Sequence, residues 1–123
     1  MSESVRTTTW LYRRAGTSHD DFVRHWTDAH APLARRLPGL IGYAQHEVLH
    51  EINSKASDLV HDSILVPDGI LVPDGMAELT FASRADREAA YASPAGQILL
   101  ADSRHFLDTG RRFVVRALPE ASR

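Results

Sequence analysis

The strongest chemical signal in the chain is His30, in the stretch Trp26-Thr27-Asp28-Ala29-His30-Ala31-Pro32-Leu33. It falls on the apolar stripe of a helix, where leucine is expected, and Pro32 follows within one turn. An imidazole titrates near neutrality and can act as general base or acid with little tuning. Pro32 is expected to interrupt the helix and to bias Ala31 away from helical backbone, opening the chain beside the ring. A core histidine bonded to a carbonyl that the proline leaves free is the plainer alternative. Glu78 is the second candidate. It lies between Ala77 and Leu79 in a strand with apolar neighbours, so it must pair or be desolvated. It either forms an ion pair with an arginine such as Arg6 or Arg116, or orients His30 and handles a proton. Tyr12, Trp26, Tyr43 and Phe106 are core rings or the lining of a small-ligand pocket. The hydroxyls of Tyr12 and Tyr43 could hold a substrate carbonyl. Asp102, His105 and Asp108, spaced by three, read as a solvated helix end.

Periodicity supplies the elements that would position these groups. Val5–Tyr12 reads as a strand. Ser18 is a helix cap with Asp20 and Asp21 in the first turn. Phe22, Trp26, Ala29, Leu33 and Leu37 then follow at helical spacing, and Pro38-Gly39 ends the unit. Leu40–Glu51 reads as a second strand, with Tyr43, Gln45 and Glu47 on one face and Ala44, His46 and Val48 on the other. Met76–Phe81 is a third strand. Ser83 caps a helix, and Ser93-Pro94 restarts it to about Ser103. Arg112–Leu118 is the last strand. The order β-α-β-β-α-β predicts an α+β, ferredoxin-like domain. The hexapeptide Ile64-Leu65-Val66-Pro67-Asp68-Gly69 recurs at once as Ile70–Gly75. It is expected within a loop over 52–75, either as a neutral duplication or as a flap over a pocket or partner.

With 123 residues and a formal charge of −2, the chain is one domain with no basic footprint for nucleic acid. The core is expected over about 5–118. There is no cysteine, which removes disulfides, thiolate nucleophiles and thiolate-bound zinc. No long apolar run or leader pattern is present, so a cytoplasmic protein without a membrane partner is expected.

His46-Glu47-Val48-Leu49-His50 matches the zinc-protease pattern H-E-x-x-H, which needs a helix to bring both rings to one metal. On a strand they stand about 13 Å apart, too far for one zinc ion. No metal site is therefore expected. There is no G-x-G-x-x-G, no phosphate-binding loop and no G-x-S-x-G elbow, so no cofactor is expected.

The chain resembles the EthD family in His19-Asp20-Asp21-Phe22 with Trp26, His30-Ala31-Pro32-Leu33, and Leu37-Pro38-Gly39-Leu40 with Tyr43. The likeness continues in Asp74–Phe81 and in Ala92-Ser93-Pro94-Ala95-Gly96-Gln97, leading to Ala101-Asp102 and Phe106. It covers roughly residues 5–118. The resemblance implies a dimeric α/β barrel whose subunits meet sheet to sheet. It also implies kinship with small barrels that act on aromatic or lactone-like compounds without a cofactor. The chain departs from the family in its doubled hexapeptide and at His46-Glu47, where Asn-His is expected. Moving that histidine by one residue swaps its face of the sheet. His46 is accordingly a substrate-contact candidate only by resemblance. The expected function is proton transfer by His30 and Glu78 on a small hydrophobic carbonyl, lactone or aromatic compound, in a homodimer. A non-catalytic protein that binds a hydrophobic metabolite is the alternative.

Overall fold

The computed structural model describes residues 4–51, 59–60, 72–116 and 118. Its elements are β1 (Val5–Arg13), α1 (His19–His25), a π-helical turn (Trp26–His30), α2 (Ala31–Ala34), β2 (Leu40–Glu47), β3 (His50–Glu51), β4 (Leu59–Val60), β5 (Gly75–Phe81), α3 (Arg84–Ala92), α4 (Pro94–Phe106) and β6 (Leu107–Val115). Four strands form an antiparallel sheet in the order β2-β5-β1-β6, and β3 pairs with β4 separately. This is the α+β, ferredoxin-like architecture.

The capping serines act as their sequence context suggests. The Ser18 hydroxyl accepts from the Asp21 N–H at 3.1 Å, Ser83 from Asp86 at 3.1 Å and Ser93 from Gly96 at 3.1 Å. Each satisfies one of the donors left over at a helix start. Pro94 follows Ser93 inside the first turn of α4, where its missing N–H costs nothing. After α2, Gly39 takes a positive φ of 79° and turns the chain into β2.

One face of the sheet carries the core. Thr7, Thr9 and Leu11 of β1 and Ala77, Leu79 and Phe81 of β5 are buried there. Phe22 and Trp26 from the first helical unit, with Leu99 and Phe106 from α4, close over them. Full burial of a ring such as Phe22 or Phe81 stabilises by about 2–3 kcal/mol. The opposite face carries Trp10 and Phe113, edge to face with centroids 5.4 Å apart.

Several expectations change. The first helix does not stop at Pro32. It runs on through the π turn, where the Ala31 N–H bonds to the Trp26 carbonyl, and Pro32 sits in the first turn of α2. Ala31 keeps helical backbone (φ −58°, ψ −42°) instead of opening. The wider turn also changes the phase of the stripe: His30, Ala31 and Ala34 are buried, while Ala29 is exposed. The second strand ends at Glu47, and β3 leaves the main sheet. A register shift between Leu40 and Gly42 takes Ile41 off the face of Tyr43. The last helix reaches Phe106 and passes directly into β6 at Leu107, five residues before the expected start at Arg112. The tandem hexapeptide lies outside the described residues except for Val72–Gly75.

Candidate functional site

His30 is held where two helical layers meet. The π turn places it on the inner side next to Trp26, and its side chain is 10% exposed. Its Nδ1 lies 2.7 Å from Asp102 Oδ2. A carboxylate accepts, so Nδ1 carries the proton and Nε2 is left with its lone pair. Asp102 also accepts from Nε2 of His25, at 3.0 Å to each oxygen. Phe106 holds the assembly together: its ring centroid is 4.6 Å from that of His25 and 4.9 Å from that of His30. The Gln45 amide on β2 donates to the Trp26 carbonyl at 3.1 Å and ties the π turn to the sheet.

The electrostatics follow from this burial. Desolvation pushes the His30 imidazolium pKa below its ordinary 6.5, and the hydrogen bond and charge of Asp102 offset only part of that. His30 is therefore a neutral base at neutral pH. For Asp102 desolvation acts upward, but the hydrogen bonds and charges of His30 and His25 together outweigh it and hold the carboxyl below its usual 3.8. Burial pushes the Tyr43 phenol up to about 12, against the opposing influence of Arg35. It stays a neutral hydrogen-bond donor throughout the physiological range.

His30 forms part of the wall of a cavity of about 420 Å³ between the helices and the sheet. Trp26, Tyr43, Leu79, Tyr91 and Leu99 make the inner wall largely apolar. Arg104, Asp108 and Arg112 line its solvent side and are exposed. The Trp26 Nε1 donor is buried without a hydrogen-bond partner among the described residues. A dry wall with a few polar groups suits a small organic ligand.

The other residues named from the sequence are placed differently. Glu78 is not the partner of His30. It alternates onto the far face of β5 and pairs with Arg6 at 3.4 Å, both side chains being about two-fifths exposed. His46 pairs across the sheet with Met76 on that same far face, so the one-residue shift takes it away from the cavity. Tyr12 alternates with the cavity-lining Leu11 and is buried off the cavity, its hydroxyl unpartnered among the described residues. Phe106 packs behind the imidazoles and does not line the cavity. Trp26 and Tyr43 do line it. The spacing of Asp102 with His105 and Asp108 suggests a solvated acid, yet its sequence position carries the same signal as that of His30. It lies between Leu99 and Phe106 on the buried stripe of α4. Among the described residues no group of three or more His, Asp or Glu is arranged to hold a metal ion, and the H-E-x-x-H segment begins on a strand.

A family model described as the EthD domain matches residues 14–110. The chain belongs to the EthD family. No curated protein matches it. Among solved structures, an EthD family protein from Bacillus halodurans C-125 is 17% identical, with 93% of this chain and 99% of that chain covered and a TM-score of 0.65. SnoaB from Streptomyces nogalater, a cofactor-independent oxygenase, is 11% identical, with 97% of each chain covered and a TM-score of 0.60. A dimeric ferredoxin-like protein from Thermobifida fusca YX is 14% identical, with 94% and 93% covered and a TM-score of 0.60. At these identities the likeness is one of fold. No helix among the described residues of this EthD chain is long and apolar enough to cross a membrane.

Proposed function

We propose that this EthD protein is a proton-transfer enzyme acting on a small hydrophobic carbonyl, lactone or aromatic compound. The observation that carries the reading is the His30–Asp102 pair, 2.7 Å apart, in the wall of a largely apolar cavity. In this scheme Nε2 of His30 removes a proton from carbon next to a carbonyl. The bonding pair moves onto the carbonyl oxygen as an enolate, and His30 becomes an imidazolium stabilised through Nδ1–H by Asp102. The neutral hydroxyl of Tyr43 is a donor for the developing oxyanion. In a substrate with a β,γ double bond the enolate extends to the γ carbon, and return of the proton there shifts the double bond and completes an isomerisation. The fold shared with a cofactor-independent oxygenase supports a small-molecule role. We also propose a homodimer built through the free sheet face, a reading supported by the dimeric ferredoxin-like neighbour.

Exchange of carbon-bound hydrogen tests the chemistry. Incubation of aryl ketones and lactones with the protein in D₂O, read by NMR, should show enzyme-dependent deuteration. His30→Gln should abolish that deuteration while the compound still binds. Exchange that is undiminished in His30→Gln overturns the role of His30. Binding without exchange in the native protein would indicate a carrier.

A further inference from the structure

We infer that the ligand of this cavity is an aromatic acid, with its ring body inside and its anionic group held at the mouth by Arg104 and Arg112. The inference deepens the reading above and relies on it for the location of the site. The observation behind it is an asymmetry of charge. Arg104 and Arg112 line the solvent side of the cavity, and neither makes an ion pair with a described residue. The Arg112 guanidinium carbon lies 5.1 Å from the centroid of the Tyr91 ring in the same wall, and that of Arg87 lies 5.1 Å from the same centroid. Arg35 lies 5.7 Å from the centroid of Tyr43, another wall residue. Arginines therefore border the aromatic wall on several sides.

The negative groups offset them only in part. Asp102 is engaged by His25 and His30. Asp108 lines the same wall and forms no ion pair with a described residue. A guanidinium stacked on a ring has lost side-chain freedom already and keeps its N–H edge for a planar anion. A carboxylate meets that edge through two parallel hydrogen bonds. The largely apolar inner wall offers a full charge no cationic partner, so an amphipathic acid has one favourable orientation. Its anion faces solvent at Arg104 and Arg112, and its uncharged end, with the carbonyl, approaches His30 and Tyr43. A neutral ring would gain no ion pair from the arginines.

A matched pair of fluorescent probes tests this without a known substrate. 1-Anilinonaphthalene-8-sulfonate and N-phenyl-1-naphthylamine share a ring system and differ by the sulfonate. Arg112→Gln combined with Arg104→Gln should weaken sulfonate binding about tenfold and leave the neutral probe within about twofold. Both positions are exposed, so the fold should persist, and near-UV circular dichroism checks it. Salt raised from 50 to 500 mM should weaken only the sulfonate, and the two probes should displace each other. Equal loss of both probes, no loss of either, or failure to compete would each overturn the inference. His30→Gln should leave both probes bound. Loss of deuterium exchange and loss of anion preference are therefore separate outcomes, and either reading can fail alone.

Discussion

Burial, opposed by one carboxylate that serves two imidazoles, sets the pH behaviour of the site. Burial lowers the His30 pKa, while Asp102 acts in the opposite sense. The base form of His30 should thus persist below pH 6.5, with activity falling only at more acid pH. Asp102→Asn removes the raising influence, so the acid limb of the kcat/KM profile should move to lower pH while turnover falls by roughly 10²-fold. A limb that moves upward would contradict the assignment. The same shift enters stability. Between the folded pKa of His30 and 6.5 the unfolded chain binds more protons, so stability should fall as pH drops through that window. Urea denaturation at intermediate pH steps should show this slope, and His30→Gln should flatten it. Asp102 adds stability above pH 3.8 that is lost as acid titrates the folded carboxyl. Tyr43→Phe should weaken carbonyl ligands by a few fold, and the 295 nm phenolate absorbance of Tyr43 should appear only near pH 12. At this scale the imidazole was legible because it broke an apolar stripe. Asp102 broke one too, but its nearness to other polar residues disguised it. Glu78 misled because alternation in a strand does not say which face is covered.

The π turn and β5 fit each other with little room to spare. A Cβ on Gly75 would lie 2.6 and 2.8 Å from the Trp26 ring, well inside contact distance. Gly75→Ala should displace the indole toward the cavity, cost about 1–3 kcal/mol, and lower affinity for both naphthalene probes. Unchanged melting and binding would show that the ring has another place to go. Next to Gly75, Asp74 accepts from the Arg13 guanidinium at 2.7 Å and from His19 at 2.8 Å, and is almost wholly buried. Asp74→Ala removes this buried acceptor and should destabilise by about 2–3 kcal/mol in denaturant titration. The helix starts were readable because Ser18, Ser83 and Ser93 satisfy backbone donors locally. The π turn was not. Its i→i+5 closure leaves no mark in side-chain spacing, and a proline reads the same whether a helix stops or merely widens before it. The start of β6 was missed because α4 enters it with no intervening turn residues.

Across the molecule, the two faces of the sheet differ. The helices cover one. The other presents Trp10 and Phe113, with the Arg111 guanidinium 5.6 and 5.4 Å from their centroids. Light scattering after size exclusion should give twice the chain mass, and Phe113→Asp should shift it toward the monomer. A monomer at micromolar concentration in the unmodified protein would count against the dimer. The strand and helix order was visible in sequence because each element buries one periodic face. The proposed sheet-to-sheet contact comes from the family resemblance and not from periodicity, because a polar-aromatic strand face looks the same whether water or a second copy covers it. The base and its acid are 72 positions apart in the chain, one from each half of the fold. A nascent or broken polypeptide holding only one half carries an ordinary histidine or an ordinary aspartate. On the proposed mechanism, turnover would require the second helical pair to dock and would serve as a readout of completed assembly.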